Sequence, residues 1–394
     1  MSRSLRGGFA LLGVLLIAAN LRAALTVVGP LVPTLQADTG LSALAAANLV
    51  TIPVLCFAVA SPAAPWLAAR IGLERALGAA ILGTVAGIVL RSFTPQINLW
   101  IGTVLLGVSI AVMNVLLPAL IRRDYAQKIA QVTSGYQVAQ TVVAGLAAMF
   151  AVPIAEVAPG GWRLAFGLTA GFGVLAFAVF APRLVGADVH GGPVAHIGGV
   201  ATHPAKTPWV TAVGWQVSLF MGLQSSLFYT AITWFPSLEG DFGVDPTVTG
   251  IHQGLFQAAG IIGSTLAGVL LSRTAGSQVK VMALTSWWGL AGVIGLLALP
   301  EISVVWITMT GTAAGTYIVF AISLMGLRSQ NHTQTAKLSG MAQSVGYLVA
   351  AVTPMVFGVL RDATGGWEAS LWMLATTQVL MIGAGLLAAR DRTI

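Results

Sequence analysis

Long apolar runs, separated by short polar loops, are the feature that most restricts the folds open to this chain. Twelve of them have about the 20 residues that an α-helix needs to cross a hydrocarbon layer about 30 Å thick. Charged residues make up only 8% of the 394 residues, whereas soluble domains carry about 25%. We therefore predict an all-α membrane protein with twelve transmembrane helices. The runs cover residues 9–35, 42–68, 74–91, 99–121, 130–153, 162–182, 209–236, 247–272, 279–299, 302–327, 338–360 and 368–389.

The second half of the chain repeats motifs of the first half at a nearly constant offset. Two short motifs recur 205 positions downstream, and an eight-residue segment recurs 203 positions downstream. A duplication of six spans is typical of carriers built from two pseudo-symmetric bundles. We predict six-helix bundles over residues 1–182 and 209–394, joined by a cytoplasmic linker over 183–208. The repeated pairs are Ser134-Gly135 with Ser339-Gly340, Gly160-Gly161-Trp162 with Gly365-Gly366-Trp367, and 33–40 with 236–243.

The predicted linker is polar and rich in glycine and proline, unlike the runs that flank it. It contains His190, His196 and His203, which leaves a metal site or a plain connector as alternatives. Spacings of six and seven residues in a flexible loop are a weak signal for metal binding, so the plain connector is favoured. We predict no metal and no cofactor.

Lysine and arginine are concentrated on one side of the predicted topology. With the N-terminus inside, fifteen of the nineteen lie on the cytoplasmic side and three outside (Arg91, Arg163 and Arg361), while Arg22 lies within a span. The positive-inside rule then places both termini in the cytoplasm. The net charge of +7 is scattered, without a basic stripe, so nucleic acid is not a predicted partner. We predict a multi-pass protein in the lipid bilayer of the cytoplasmic (inner) membrane.

Arg22 lies in the middle of the first apolar run, and no acidic residue lies at comparable depth in the sequence. A charge near the bilayer centre costs roughly 2.5 to 3.5 kcal/mol on insertion scales, so such residues usually serve function. Thr26 shares the face of Arg22, whereas Asn20 points about 200° away, toward the cavity edge or a neighbouring helix. We predict that Arg22 binds an anionic solute; the alternative is that it caps carbonyl groups or reaches a loop carboxylate.

Polar side chains recur in the predicted spans at spacings that place several of them on common helix faces. Because polar groups in lipid must be hydrogen-bonded, we expect them to point inward. Taken singly, each is at least as well explained by a hydrogen bond between helices as by solute contact. Together with Arg22 and Asn20, the predicted solute-binding residues are Asn114, Gln137, Gln140, Gln224, Tyr229, Trp234, His252, Gln257, Gln343 and Tyr347.

The energy source for transport has few candidate residues in the sequence. Every carboxylate maps to a loop or a helix end, and His252 is the one other titratable candidate within a span. A structural histidine is favoured at that position, although a co-transported or exchanged proton stays open. The chain lacks a G-x-x-x-x-G-K-[ST] motif and a nucleophile with base and acid partners, so we predict that it is not an enzyme.

Distinctive motifs occur in both halves of the chain, among them Asn20-Leu21-Arg22, Gly222-Leu223-Gln224 and the run 338–347. They resemble the major facilitator superfamily and, within it, the cyanate / 2-nitroimidazole transporter family. That resemblance implies a secondary carrier of a small anion or a small nitrogenous or nitro compound. Ala69 stands where the superfamily has Asp in the loop between spans 2 and 3, and Ala23 replaces a proline, which implies a straighter first span. The matching segments are Asn20-Leu21-Arg22, Gly29-Pro30-Leu31, 114–118 with 122–124, Gly222-Leu223-Gln224, Phe228-Tyr229, Trp234, 338–347, Pro354, Gly358, Asp362 and Gly365-Gly366-Trp367.

Two functions of one fold follow from these observations. The first is a monomeric secondary transporter that moves a small polar solute, anionic or nitrogen-containing, by alternating access. The second is an efflux pump for drug-like or toxic compounds, with Phe228, Tyr229, Trp234 and Phe256 forming an apolar pocket. A membrane sensor or a channel is a further alternative of another class, and saturable counterflow would argue against a channel.

Overall fold

The computed structural model is helical throughout, as the apolar runs predict. Sixteen α-helices, three short 3-10 turns and no strand occur over the described residues. The linker predicted over 183–208, with His190, His196 and His203, lies almost wholly outside those residues. The described residues are 3–41, 43–185, 207–274 and 277–394.

Each predicted span of the first half coincides with one or two helices. In chain order these are α1 (Arg3–Thr26), α2 (Val28–Thr39), α3 (Ala43–Ala60), α4 (Ala64–Ile71), α5 (Leu73–Arg91), α6 (Ile97–Asp124), α7 (Ile129–Val157), α8 (Gly161–Leu168) and α9 (Ala170–Val185). The second half follows the same pattern. Its helices are α10 (Ala212–Asp241), α11 (Pro246–Ser272), α12 (Val279–Thr285), α13 (Trp287–Ala298), α14 (Ser303–Leu327), α15 (His332–Thr364) and α16 (Glu368–Ala388).

Eleven segments of the described chain are long and apolar enough to cross a membrane. They match eleven of the twelve predicted spans. The remaining one, the seventh, falls on α10, whose 30 residues are long enough to span but include many polar side chains. Those that are buried are Ser218, Gln224, Ser225, Ser226, Thr230 and Glu239.

The first span is continuous through Ala23 and is interrupted three residues later, between α1 and α2. The amide of Val27 still donates to the carbonyl of Ala23, at 3.3 Å, so the helical path is kept. Pro30 has no N–H to offer the carbonyl of Thr26 four residues earlier, which explains where the two helices divide.

Two compact units divide the chain. The first consists of Met1–Leu120 and Tyr136–Pro204, and the second of Ile121–Gly135 and Ala205–Ile394. The division after Pro204 falls within the predicted linker. The assignment of Ile121–Gly135 to the second unit was not predicted, because the sequence places these residues in the first bundle. The predicted domain limits of 1–182 and 209–394 stay a prediction.

Small residues let helix backbones touch within each unit. In the first unit, a Cβ atom at Gly87 of α5 would lie 2.7 Å from the backbone nitrogen of Leu106 in α6. In the second unit, a Cβ atom at Gly315 of α14 would lie 2.7 Å from the Cα of Gly260 in α11. Both distances are too short for a side chain, so these glycines set how closely the helices pack.

Candidate functional site

Arg22 lies on α1 in the first unit, partly exposed, between the buried residues Leu21 and Ala23. Thr26, one turn further along the same face, donates its hydroxyl to the carbonyl of Ala144 in α7, at 3.0 Å. The face that carries Arg22 is therefore turned toward α7. That helix also carries the predicted residues Gln137 and Gln140, which are 4% and 6% exposed.

Asn20 takes the second of its two predicted positions, against a neighbouring helix. Its side-chain nitrogen donates to the carbonyl of Leu16, at 2.8 Å. Its Oδ1 is buried without a hydrogen-bond partner among the described residues. A Cβ atom at Gly173 of α9 would lie 3.2 Å from that oxygen, so Asn20 is directed at α9. Asn114, on α6 of the same unit, is partly buried.

Arg91, at the end of α5, is a buried cation that the sequence did not single out. It is 1% exposed, its Nη2 donates to the carbonyl of Ala24 at 2.6 Å, and its guanidinium lies 4.4 Å from the ring centre of Phe166. The polar residues that follow it made Arg91 look like a loop residue. The carbonyl it caps is next to the interruption between α1 and α2, which only the folded chain reveals.

In the second unit, four aromatic rings form a cluster joining α10, α11 and α15. Phe228 lies 5.4 Å from Tyr229 and 6.0 Å from Phe256, and Tyr229 lies 6.4 Å from Tyr347, between ring centres. We call these four residues the aromatic cluster. It brings together two predicted solute-binding residues, Tyr229 and Tyr347, and contains three of the four residues proposed for an apolar pocket, Phe228, Tyr229 and Phe256.

Trp234 lies in a different group of rings from the aromatic cluster. Its centre is 6.3 Å from Phe357 and 6.0 Å from Trp367, and its indole nitrogen donates to the carbonyl of Pro354 at 2.8 Å. These contacts pack α10 against α15 and the start of α16. The structure thus separates Trp234 from the other residues of the predicted apolar pocket.

The predicted glutamines of the second unit differ in their surroundings. Gln224 is 1% exposed, and its amide nitrogen donates to the hydroxyl of Ser225 at 2.7 Å and to the carbonyl of Met221 at 3.1 Å. Gln343, 2% exposed, has an amide oxygen without a hydrogen-bond partner among the described residues. Gln257 is partly exposed. Gln224 is therefore held within α10, whereas the oxygen of Gln343 keeps its accepting capacity.

His252 is paired with a carboxylate, which the sequence did not predict. Its Nδ1 lies 2.6 Å from Oε1 of Glu239, and that oxygen also accepts the hydroxyl of Ser303 at 2.6 Å. Glu239 lies near the end of α10, as predicted for an acidic residue, but it is 1% exposed. The signal that was overlooked is that Glu239 falls inside a repeated segment, three residues after Pro236, and not in a loop.

An aspartate at the end of one helix is anchored to a tryptophan in each unit. In the first, Asp38 accepts from the indole of Trp162 at 3.0 Å and from Arg163 at 2.8 Å. Both donors favour the ionised carboxylate, so the indole of Trp162 and then Arg163 hold the pKa of Asp38 below its usual range. In the second, Asp241 accepts from the indole of Trp367 at 2.9 Å, and these two residues occupy the equivalent positions of the repeat.

The chain matches known transporters along nearly its whole length. The protein-family model described as "Major Facilitator Superfamily" matches residues 14–278 of the sequence. The "Uncharacterized transporter YycB" of Bacillus subtilis (strain 168) is 38% identical over 97% of this chain and 94% of its own length. The "2-nitroimidazole transporter" of Escherichia coli (strain K12) is 34% identical over 97% and 95%. The "Cyanate transport protein CynX" of the same strain is 25% identical over 91% of both.

Solved structures support the fold alone, because their sequence identity to this chain is low. A proton:xylose symporter, XylE, has a TM-score of 0.73 at 14% identity, over 95% of this chain and 93% of the other. FucP in its outward conformation has a TM-score of 0.73 at 11% identity, over 97% and 99%. The predicted fold and family are confirmed. The relatives are transporters and not enzymes, as the sequence predicted.

Proposed function

Because the chain belongs to the Major Facilitator Superfamily, we propose that it is a secondary active transporter of a small polar solute that is anionic or nitrogen-containing. The observation that carries this proposal is the identity of 34% to a 2-nitroimidazole transporter over 97% of the chain. The match to a cyanate transport protein over 91% of the chain likewise supports a small solute. Transport proceeds by alternating access, as the duplicated six-span arrangement favours.

Arg22 is the proposed anchor for the solute in the first unit. Thr26 contacts Ala144, and Arg22 and Gln140 each lie one turn before that contact on their own helices. Because spans 1 and 5 run in the same direction in the predicted topology, we propose that these two residues act together. A guanidinium with amide donors beside it suits a carboxylate, cyanate or nitro group, since charge-assisted hydrogen bonds are the strong ones. Gln137, one turn earlier on the face of Gln140, extends the set of donors.

Tyrosine and glutamine side chains are the proposed solute-binding groups of the second unit. Tyr229 and Tyr347 of the aromatic cluster offer hydroxyl groups beside apolar rings. Gln343 supports the proposal because its buried amide oxygen is unsatisfied among the described residues, and a buried acceptor without a donor costs about 1 to 3 kcal/mol. A solute N–H group would supply that donor.

The protein works in this proposal as a monomer in the cytoplasmic membrane with both termini inside the cell. The support for the orientation is the bias of lysine and arginine, fifteen of nineteen on one side. Arg70 and Arg75 in the loop between spans 2 and 3, and Arg390 and Arg392 near the C-terminus, are among those on the cytoplasmic side.

Uptake into proteoliposomes tests the role of Arg22. We expect Arg22→Ala to reduce uptake of radiolabelled cyanate and 2-nitroimidazole about 10- to 100-fold, because a hydrogen bond to a charged group is worth about 1.5 to 3 kcal/mol. Arg22→Lys keeps the charge but loses the planar fork, so it should restore only part of the uptake. Arg70→Ala, which removes an exposed arginine stacked on Trp66 of the same unit, is the matched control.

Two outcomes of that assay would contradict the role of Arg22. One is unchanged uptake in Arg22→Ala, and the other is an equal loss in Arg70→Ala, since a general loss of folded protein would then explain both. A thermal-shift screen of small carboxylates, cyanate, nitrate-like ions and nitroheterocycles gives a second readout. The shift produced by a bound anion should disappear in Arg22→Ala and persist in Arg70→Ala.

Export of drug-like or toxic compounds is the second candidate, and the aromatic cluster favours it. Its four rings offer an apolar surface to planar compounds, because the centre of each ring lies within 6.4 Å of the centre of a neighbouring ring. Cells that express the protein would then resist several unrelated compounds, and Phe256→Ala would abolish the resistance. Resistance confined to nitroheterocycles would instead favour the first proposal.

A further inference from the structure

Glu239 is a buried acid that the proposed binding of solute leaves without a role. It is 1% exposed, and a single oxygen, Oε1, faces both Nδ1 of His252 and the hydroxyl of Ser303, each at 2.6 Å. Burial of a carboxylate is costly unless it is paired and hydrogen-bonded. Here the carboxylate has an imidazole as one partner and a hydroxyl group as the other.

His252 gives this buried carboxylate a connection to water. The side chain of His252 is 13% exposed, against 1% for that of Glu239. Histidine is the side chain whose charge normally changes near neutral pH. A proton can therefore enter and leave through the imidazole, while the carboxylate behind it holds the charge of the imidazolium. Protonated, the pair is neutral overall; deprotonated, it carries one negative charge.

The duplication supplies an internal comparison for Glu239. The equivalent position of the first repeat, 203 residues earlier, is Gln36, which does not titrate. The amide nitrogen of Gln36 donates to the carbonyl of Leu41 at 3.2 Å. A neutral amide therefore serves the same helix end in the first unit, so the repeated fold does not itself require a carboxylate there.

The pair joins three helices of the second unit at one end. Glu239 is on α10, His252 on α11, and Ser303 is the first residue of α14. The charged groups on this end of those elements are Asp241, Asp245 and Glu301, all exposed. The nearby cation, Arg361, is held 3.1 Å from Asp241. A change of charge on the pair thus acts on the contacts among α10, α11 and α14.

We propose that Glu239 and His252 form the proton-binding site that couples transport to a proton gradient. This inference rests on the proposed transport function and names its coupling ion. One proton binds the pair from the water on one side and is released unchanged to the other, with no covalent step. Movement of one proton with one monovalent anion in the same direction carries no net charge.

Glu239→Gln separates this role from a structural one. The glutamine keeps an acceptor for Ser303 and can donate to a neutral imidazole, so a purely structural tie survives while the titrating charge is lost. It is also the residue that the first repeat carries at position 36. Glu301→Gln makes the same chemical change at an exposed position of the adjoining turn, and is the matched control.

The transport experiment compares two modes of movement of radiolabelled cyanate and 2-nitroimidazole in proteoliposomes. Under an imposed proton gradient of either sign, we expect Glu239→Gln and His252→Gln to reduce net transport about tenfold, within the 5- to 150-fold range typical of coupling between sites. Counterflow without a gradient should stay within about threefold of the wild type in Glu239→Gln, because Glu239 is not among the proposed solute-binding residues. Glu301→Gln should behave as the wild type in both modes.

The inference is overturned if Glu239→Gln keeps gradient-driven transport, or if its counterflow falls as much as its gradient-driven transport. It is also overturned if transport by the wild type does not respond to the gradient. In that last case counterflow by the wild type would still support the proposed function. A readout without solute keeps the two claims separate. Infrared difference spectra on changing pH should contain a carboxylate band that is lost in Glu239→Gln and an imidazole band that is lost in His252→Gln, and both bands should persist in Glu301→Gln. Spectra identical in all four proteins would refute the proton site even if no probe were transported.

Discussion

Three charged residues are buried in the described part of the chain, and each is hydrogen-bonded to a neighbouring element. Arg91 donates to a carbonyl of α1, Glu239 accepts from α14 and faces His252, and Arg328 donates to two carbonyls at the C-terminal end of α16. Removing one member of such an arrangement leaves a buried group unpaired, which costs more than the bond itself contributes. From the sequence, all three were predicted to lie in loops or at helix ends, and none was predicted to be buried.

Asp38, the hydrogen-bonded aspartate of the first unit, makes the stability of the folded protein depend on pH in the acid range. The pKa of Asp38 is lowered by the indole of Trp162 and by Arg163, so its contribution is present above the pKa of the unfolded chain, about 3.9. That contribution is lost as the pH falls through the lower pKa of the folded protein. In Asp38→Asn, we expect a smaller decrease in melting temperature between neutral pH and about pH 3 than in the wild type. Parallel curves in the two proteins would show that Asp38 does not contribute.

Helices in this chain were predictable, but their contacts were not. All twelve apolar runs coincide with helices, because length and hydropathy act locally. Which glycines touch a neighbouring backbone depends on the facing helix. Gly315 meets Gly260, whereas Gly254 of the same α11 has no neighbouring heavy atom within 4 Å of a built Cβ atom, apart from its own helix backbone. The two kinds of glycine look alike in sequence.

Substitution of these glycines distinguishes packing from helix propensity. We expect Gly315→Ala to destabilise the protein by about 1 to 3 kcal/mol, because a Cβ atom there would overlap α11. Gly254→Ala should be neutral or stabilising by up to about 1 kcal/mol, since alanine favours the helix and the position is open. Thermal unfolding in detergent, with tryptophan fluorescence as the signal, measures both. Equal effects of the two substitutions would contradict the close packing of α11 and α14.

At the scale of the whole molecule, the orientation in the membrane is a prediction from the distribution of lysine and arginine. The chain has one cysteine, Cys56, so Cys56→Ala gives a background for labelling single introduced cysteines. Glu156 and Arg392 are exposed and fall on opposite sides of the predicted topology. A membrane-impermeant maleimide should label Glu156→Cys in intact cells and Arg392→Cys only after permeabilisation. The reverse pattern would overturn the placement of both termini in the cytoplasm.

The duplication shows what the sequence by itself determined about this protein. Hydropathy and repeated motifs were enough for the helices, the six-plus-six arrangement and the family, because these depend on local composition and order along the chain. The repeat also implied that Asp241 and Trp367 correspond to Asp38 and Trp162, and both pairs are hydrogen-bonded.

Which arginine pairs with each aspartate is determined only by the tertiary structure. In the first unit it is Arg163, next to the tryptophan at the start of α8; in the second it is Arg361, at the end of α15. The repeat places Glu368 and Glu156 at the equivalents of these two arginines, so the cation comes from a different helix in each unit. The burial of Arg91 and the pairing of Glu239 with His252 are likewise determined only by the tertiary structure. Such contacts join residues far apart in the chain, and the energy of a charge depends on what the fold places around it.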